Sequence, residues 1–205
     1  GGGFFNDTNT AVGVNCLGVN TSGSQNTAIG HSALSFNTIG RFNMALGQSA
    51  LKNNLSWSSN TAVGSGASST QISGDGNVAI GQSSLSNNIS GSNNIGIGYH
   101  AGNTYGNGLF ANKNTLPISS IFIGSGSRPE ADFQENQIVI GNETIGAGSN
   151  SVVIGNDLIS KTILKGHVTA SGDIKSLGDL YINDISASGD ITRDNDNYIK
   201  GKLVD

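Results

Sequence analysis

The stretch Asn9-Thr10-Ala11-Val12-Gly13 decides the fold, because its pattern returns every 17 residues without drift. The later copies keep Asn at the head, a small residue in the centre, an aliphatic residue after it and Gly at the end. They are Asn26-Thr27-Ala28-Ile29-Gly30, Asn43-Met44-Ala45-Leu46-Gly47, Asn60-Thr61-Ala62-Val63-Gly64, Asn77-Val78-Ala79-Ile80-Gly81 and Asn94-Ile95-Gly96-Ile97-Gly98. A fixed short period predicts a stacked repeat protein, in which each unit packs against its neighbours.

The rest of each unit also repeats in register. A small residue and usually Leu follow the glycine, as in Ala33-Leu34 and Ala50-Leu51, and then a polar corner such as Asn37-Thr38-Ile39-Gly40. Seventeen residues are too few for a pair of helices, and a glycine in every unit disfavours helix. The unit therefore predicts one coil of a β-solenoid, with two short strands and two turns whose glycines adopt positive φ.

Side chains in a strand alternate between two faces, so the three central residues of each copy separate into two sets. The row of Ala, ending in Gly96, predicts a thin interior where backbones approach closely. The flanking residues share the other face, and their aliphatic row needs cover from outside its own coil. We expect copies of the same chain around a threefold axis to supply it. The leading Asn residues predict an amide ladder with a step of ~4.8 Å.

The Asn-Thr-Ala-Ile-Gly and Ser-Ala-Leu motifs resemble the head repeats of YadA-type trimeric autotransporter adhesins and the related repeats of bacteriophage tail and head fibres. The resemblance covers roughly residues 9–155 and includes a step of 14 residues from Gly141 to Gly155, close to the shorter unit of that family. It implies a left-handed parallel β-roll that assembles as a homotrimer.

The repeat divides the chain into four predicted segments. Residues 1–8 are a lead-in, 9–102 form six regular coils of β-roll, 103–160 hold an insertion loop and irregular coils, and 161–205 form a shaft. The shaft is predicted from short Gly-Asp repeats, which resemble the β-spiral or triple-β-helix shafts of phage fibres. The fold class is therefore all-β throughout.

The irregular segment begins where the next Ile-Gly pair comes 26 residues after the last, so about nine residues are inserted. The coils then resume at Ile121-Phe122-Ile123-Gly124, Ile138-Val139-Ile140-Gly141 and Val152-Val153-Ile154-Gly155. Because Phe or Val replaces the central Ala, we expect a wider interior there. The charged loop 127–133 is predicted to be a solvated protrusion.

Composition and charge narrow the possible functions. The chain has 31 glycines in 205 residues, and charged residues make up 12%, about half of the globular norm. A net charge of −4 argues against a nucleic-acid partner. No apolar run approaches the ~20 residues that span a bilayer, so membrane insertion is not expected. The start at Gly1-Gly2-Gly3, with neither Met nor a signal peptide, predicts a processed product or a piece of a longer chain.

Residues that could carry chemistry show no productive arrangement. Cys16 fills the slot held by Ala in later coils, which favours a small core residue over a reactive thiol or interchain bridge. His31, His100 and His167 are unrelated in spacing, so no metal set is predicted. The segment Asp194-Asn195-Asp196-Asn197 lacks the Gly and Glu of a calcium loop. Residues 96–101 match a dinucleotide-binding fingerprint, but they lie outside any βαβ unit and the match is discounted. We therefore predict no catalytic, cofactor-binding or metal site, and no cofactor.

These observations favour a structural virion fibre, a rigid homotrimeric shaft that links the particle to a host-receptor-binding end. Its expected partners are other virion proteins and a host cell-surface glycan or protein receptor, and its place is the virion surface. The alternative is a secreted bacterial surface adhesin of the trimeric autotransporter type, which binds host matrix or glycan. An ice-binding solenoid would need an unbroken outward Thr row, which Met44, Val78 and Ile95 interrupt. An enzyme has no site to name, so none is predicted.

Overall fold

Nine short strands stacked in sequence order form the part of the chain that the structure describes. The computed structural model describes residues 8–107 and 112–165, together with the single residues 169 and 171. Every element in this part of the chain is a strand of three residues, and none is a helix. The strands are β1 (Thr10–Val12), β2 (Thr27–Ile29), β3 (Met44–Leu46), β4 (Thr61–Val63), β5 (Val78–Ile80), β6 (Ile95–Ile97), β7 (Ile121–Ile123), β8 (Ile138–Ile140) and β9 (Val152–Ile154).

The strands make one parallel sheet in the order β1 to β9, so each coil lies beside the next. Equivalent residues face each other, as with Ala28 opposite Ala45 and Ala45 opposite Ala62. The register holds across the insertion, where Ile95 lies opposite Ile121, and across the shorter step from Ile138 to Val152. The predicted repeat architecture, a β-solenoid of about eight turns, is confirmed.

Each coil has one strand, so the expectation of two strands per coil is wrong. The Ser-Ala-Leu segment forms turns, because Ser49 and Leu51 adopt positive φ of 57° and 49° on either side of Ala50. Left-handed residues at alternate positions prevent an extended backbone. The coils remain joined there by hydrogen bonds, since the Leu34 amide donates to the Ala50 carbonyl at 3.0 Å.

The interior combines the strand alanines with residues from the turns. Ala45 and Ala62 point inward from their strands and are fully buried, as predicted. The turn leucines Leu34, Leu51 and Leu85 are buried just as completely, so the interior is thicker than a row of alanines. The core therefore runs along the roll as one continuous cluster that both parts of each coil supply.

Glycine is required for two different reasons in these coils. At the end of β3, Gly47 has φ of 133°, and a Cβ added there would lie 2.6 Å from the Gly64 carbonyl oxygen. This confirms the predicted positive φ at the strand ends. Gly40 in the polar corner lies outside the left-handed region and is needed for space, because an added Cβ would clash with the Trp57 carbonyl of the next coil.

The roll forms one compact unit that ends at Thr162. The described residues contain no helix with the length and hydropathy needed to cross a bilayer. The predicted lead-in 1–8 and the predicted shaft 161–205 lie almost wholly outside the described residues, as do His167 and Asp194-Asn195-Asp196-Asn197.

Candidate interaction surface

The outer side of the sheet presents a long uncharged surface, which we call the aliphatic face. It consists of the first and third residues of each of the nine strands, whose side chains point away from the interior. Only Thr10, Thr27 and Thr61 are polar among these positions. The others are Val12, Ile29, Met44, Leu46, Val63, Val78, Ile80, Ile95, Ile97, Ile121, Ile123, Ile138, Ile140, Val152 and Ile154.

The chain's own coils cover the aliphatic face only in part, and none of its side chains is buried. Leu46 is 43% exposed, Ile80 39% and Ile154 59%, although these are the residue types that folded proteins bury most often. Large contiguous apolar patches on a soluble protein mark sites of interaction. The prediction that the chain does not bury this row is therefore confirmed, although about half of its side chains are partly covered, and the face is the strongest candidate for a functional surface.

A buried amide ladder holds the aliphatic face in register. The side-chain oxygen of Asn26 accepts hydrogen bonds from the backbone amide of Asn43 at 3.0 Å and from its side-chain amide at 3.1 Å. Asn43 also donates to the Trp57 carbonyl at 2.8 Å. The backbone contact recurs at Asn60, Asn77 and Asn94, and the side-chain contact at Asn77 and Asn94. The predicted ladder is confirmed, and it fixes each strand relative to the next.

A second row of buried amides lies at the polar corner. Asn54 donates to the Trp57 carbonyl at 3.0 Å, and Asn88 donates to the Gly91 carbonyl at 3.1 Å, each within its own coil. Asn37 and Asn114 occupy the same position and are also buried. The corner pattern predicts these asparagines only as turn residues and not as buried ones, although their regular spacing is an available signal of burial.

The corner also carries exposed aromatic side chains. Phe42 is 57% exposed, and Trp57 is 36% exposed at a position that Gly40 and Gly74 hold in the neighbouring coils. The Lys52 ammonium nitrogen lies 5.9 Å from the centre of the Phe36 ring. A partly exposed tryptophan therefore stands where other coils use glycine. These side chains form a second, smaller candidate surface.

The described residues of the insertion, on either side of 108–111, pair as two antiparallel arms, which we call the hairpin. Thr104 and Lys113 pair in antiparallel fashion, and the Tyr105 amide donates to the Asn112 carbonyl at 3.0 Å. The hairpin closes where the Asn114 amide donates to the Asn103 carbonyl. The nine-residue insertion is confirmed, since the equivalent ladder contact spans 26 residues at Ser120 and 17 at Asn94.

The loop 127–133 is not the solvated protrusion that its charge suggested. Arg128 is buried because it occupies the turn position of Leu34 and Leu51, and its amide donates to the Thr144 carbonyl. Its guanidinium donates to the Gly106 and Gly126 carbonyls at 2.7 Å and pairs with Glu143. Five donors on a planar group allow one side chain to satisfy all three acceptors. Only the later part of the loop, at Glu130 and Phe133, is exposed.

The candidate reactive residues are not brought together. His31 is exposed, whereas His100 is half-buried four coils away, with its Nδ1 atom 2.8 Å from the Asn103 side-chain amide. Cys16 packs beside the core, and its thiol donates to the Gly30 carbonyl at 2.7 Å. Within the described ranges, no group of His, Cys, Asp or Glu side chains could hold a metal ion. The 96–101 fingerprint is strand β6 and its following turn.

Neither the protein-family models nor the curated proteins with which the sequence was compared give a match.

Proposed function

We propose that this chain is the repeat module of a structural virion fibre, such as a bacteriophage tail or head fibre. Three copies associate through their aliphatic faces into a stiff shaft that links the particle to a host-receptor-binding end. The observation that carries the proposal is the aliphatic face, which runs over nine strands without a buried side chain and holds no charge. Removing such a surface from water stabilises an assembly by about 25 cal/mol for each Å² buried.

The spacing of the aliphatic face favours copies of the same chain as its cover. Its apolar rows repeat once per strand, and strands in a sheet lie ~4.8 Å apart. A covering surface must present apolar side chains with the same period over the whole length of the roll. The aliphatic face of another copy has that period, and closed cyclic symmetry leaves no copy unpaired.

The backbone suits a mechanical role. Hydrogen bonds join every strand to the next from β1 to β9, and the buried amides of Asn26, Asn43 and Asn60 add a second set of links. About eight steps of ~4.8 Å make the roll roughly 40 Å long. A fibre of this kind would resist proteases and detergent because few segments open locally. Its partners would be other virion proteins and, at one end, a host glycan or protein receptor.

Native mass spectrometry tests the proposed assembly directly. We expect a mass of three chains from the purified protein, and a trimer band that persists in detergent until the sample is boiled. Negative-stain electron microscopy should show straight rods. A single-chain mass at every concentration would contradict the proposal, because the aliphatic face would then remain exposed to water. Antibodies against the chain should label the fibres of intact particles.

A second candidate function is a bacterial surface adhesin of the trimeric autotransporter type. The exposed aromatics Phe42 and Trp57 favour it, since aromatic faces beside polar groups suit sugar and protein ligands. Binding of the native assembly to immobilised glycans and matrix proteins distinguishes the two. An adhesin would bind through the roll, and Trp57→Ala would abolish binding without changing the native mass. A fibre shaft would bind neither.

A further inference from the structure

The aliphatic face changes in composition along the roll. The third residue of every strand is aliphatic, but the first residue is not. In the first four strands that position is mainly polar, whereas in the last five it is always Val or Ile. In strand order it reads Thr10, Thr27, Met44, Thr61, Val78, Ile95, Ile121, Ile138 and Val152.

The packing of the single chain does not require this change. Thr61 lies opposite Val78 in the same parallel register as every other pair, and the inward residues on either side are Ala62 and Ala79. Thr and Val are both good strand residues of similar shape, so either serves the sheet equally well. They differ in the kind of surface that can cover them, because a buried hydroxyl needs a hydrogen-bond partner and a methyl group does not.

We infer that the contact between copies is polarised along the fibre, with the coils of β5 to β9 holding the copies together and those of β1 to β4 adding little. This inference rests on the proposed function, since it names which part of the aliphatic face makes the interface. In the C-terminal coils both rows bury only aliphatic groups. In the N-terminal coils every buried Thr brings a hydroxyl, and the aliphatic side chains that make up most of another copy's face offer it no hydrogen-bond partner.

The same gradient specifies how the copies align. A parallel, in-register arrangement places aliphatic coils against aliphatic coils and Thr-bearing coils against their equivalents. An antiparallel arrangement that pairs β1 with β9 would place Thr27 against Ile138 and Thr61 against Ile95, and so bury hydroxyls among aliphatic side chains. The parallel arrangement buries fewer unpaired hydroxyls, and it is the one that a threefold axis along the fibre produces. Such a fibre opens from its N-terminal end.

Two matched substitutions test the polarity. Thr27 and Ile95 occupy the same position in β2 and β6, both half-buried and both pointing away from the core. Thr27→Asp and Ile95→Asp therefore place the same charge on the same row, in opposite halves. The readout is native mass spectrometry of the full chain over a series of dilutions, with circular dichroism to verify that each variant keeps the β-roll.

The wild-type chain should be a trimer. Ile95→Asp should raise the concentration of half-assembly more than about a hundredfold, because each copy brings an unpaired charge into the contact between copies. Thr27→Asp should change it by less than about tenfold. If Ile95→Asp fails to fold, the milder Ile95→Thr should still weaken assembly more than Thr27→Asp.

Two outcomes are distinguishable from the expected one. If both variants weaken the trimer equally, or if Thr27→Asp weakens it more, the polarity is overturned and the proposed function stands. A wild-type chain that is monomeric at all concentrations overturns the proposed function together with the inference. The double variant Thr27→Val with Thr61→Val should lower the concentration of half-assembly, because it removes hydroxyls from the N-terminal contact between copies. An unchanged concentration of half-assembly would count against the polarity.

Discussion

The regular coils and the irregular coils that follow them fill the same interior in opposite ways. In a regular coil the strand contributes alanine and the turn contributes leucine, as Ala45 and Leu51 show. At β7 the strand contributes Phe122, and the turn of the preceding coil carries Gly102 where Leu would stand. A Cβ added to Gly102 would lie 2.8 Å from the Phe122 ring, so the ring uses the space that a leucine would need.

The difference shows that strand and turn share a limited volume. A phenylalanine on the strand was expected to widen the interior, but a glycine in the adjacent turn accompanies it instead. The Arg128 position extends the same lesson, because its long side chain leaves the leucine position and reaches the carbonyl of Gly106 in the hairpin. Interiors are packed too closely for one residue to grow without another shrinking.

The largest expected effect comes from placing the strand phenylalanine of the irregular coils in a regular coil. Ala45→Phe should destabilise the roll by at least about 3 kcal/mol, because Leu34 and its neighbours leave no space for a ring. Adding Leu34→Gly in the preceding turn reproduces the arrangement of Phe122 and Gly102. The double variant should recover part of the loss, as measured by denaturant unfolding. Strictly additive effects would show that strand and turn do not share volume.

The amide ladder should be more sensitive in the regular coils. Asn60→Ala removes the acceptor of the Asn77 amide and the donor to the Gly74 carbonyl, and should cost about 2–3 kcal/mol. Ser120 continues the ladder in the irregular region, where its hydroxyl accepts from the Gln137 amide at a longer 3.3 Å and donates to the nearby Ile118 carbonyl at 3.0 Å. Ser120→Ala should therefore cost about 1 kcal/mol. The exposed control Gln82→Ala should leave the unfolding midpoint unchanged, and equal losses at Asn60 and Ser120 would contradict this ranking.

Replacing the buried arginine by the residue that regular coils use should release the hairpin. Arg128→Leu removes the donor to the Gly106 carbonyl, and we expect a loss of about 1–2 kcal/mol. Trypsin should then cut after Lys113 about tenfold faster, because local opening of the hairpin becomes easier. Cutting after Lys52, in a regular coil, is the internal control. Glu143→Gln should have a small effect, since the Glu143 side chain is 58% exposed and its ion pair lies near solvent.

The smallest effect is expected when the irregular region is made regular. Deleting residues 104–112 restores the 17-residue step between β6 and β7. Combined with Arg128→Leu, this deletion should change the free energy of unfolding by less than about 1 kcal/mol, because shortening a surface loop alters closure entropy only slightly. The deletion alone should cost more, since Arg128 would remain buried without the Gly106 carbonyl. Urea unfolding of both variants checks the difference.

Much of the roll was predictable because its rules are local. Strand geometry alternates side chains between two faces, so the inward Ala45 and the outward Leu46 follow from their adjacent positions. The constant period then sets the pairing, since only one register places every Asn beside its equivalent. The uncovered aliphatic face, which is the candidate site, was foreseen for the same reason.

Other features depend on contacts between coils. The turn leucines are buried and adopt positive φ because the neighbouring coil accepts hydrogen bonds from their backbone amides. The sequence of a single repeat unit does not contain that information. Arg128 was misread because a charged residue usually lies at the surface. Its burial depends on three acceptors, and the Gly106 carbonyl lies 22 residues away in the hairpin. No local pattern brings those groups together.

The amino-acid sequence by itself determined the period, the strand register and the division into inward and outward residues, because these follow from backbone geometry and a strict repeat. The tertiary structure decided the turn conformation, the second amide row and the place of the arginine. Those features arise where one coil contacts another. There the available volume, and the carbonyl groups that need hydrogen-bond donors, determine which side chain fits.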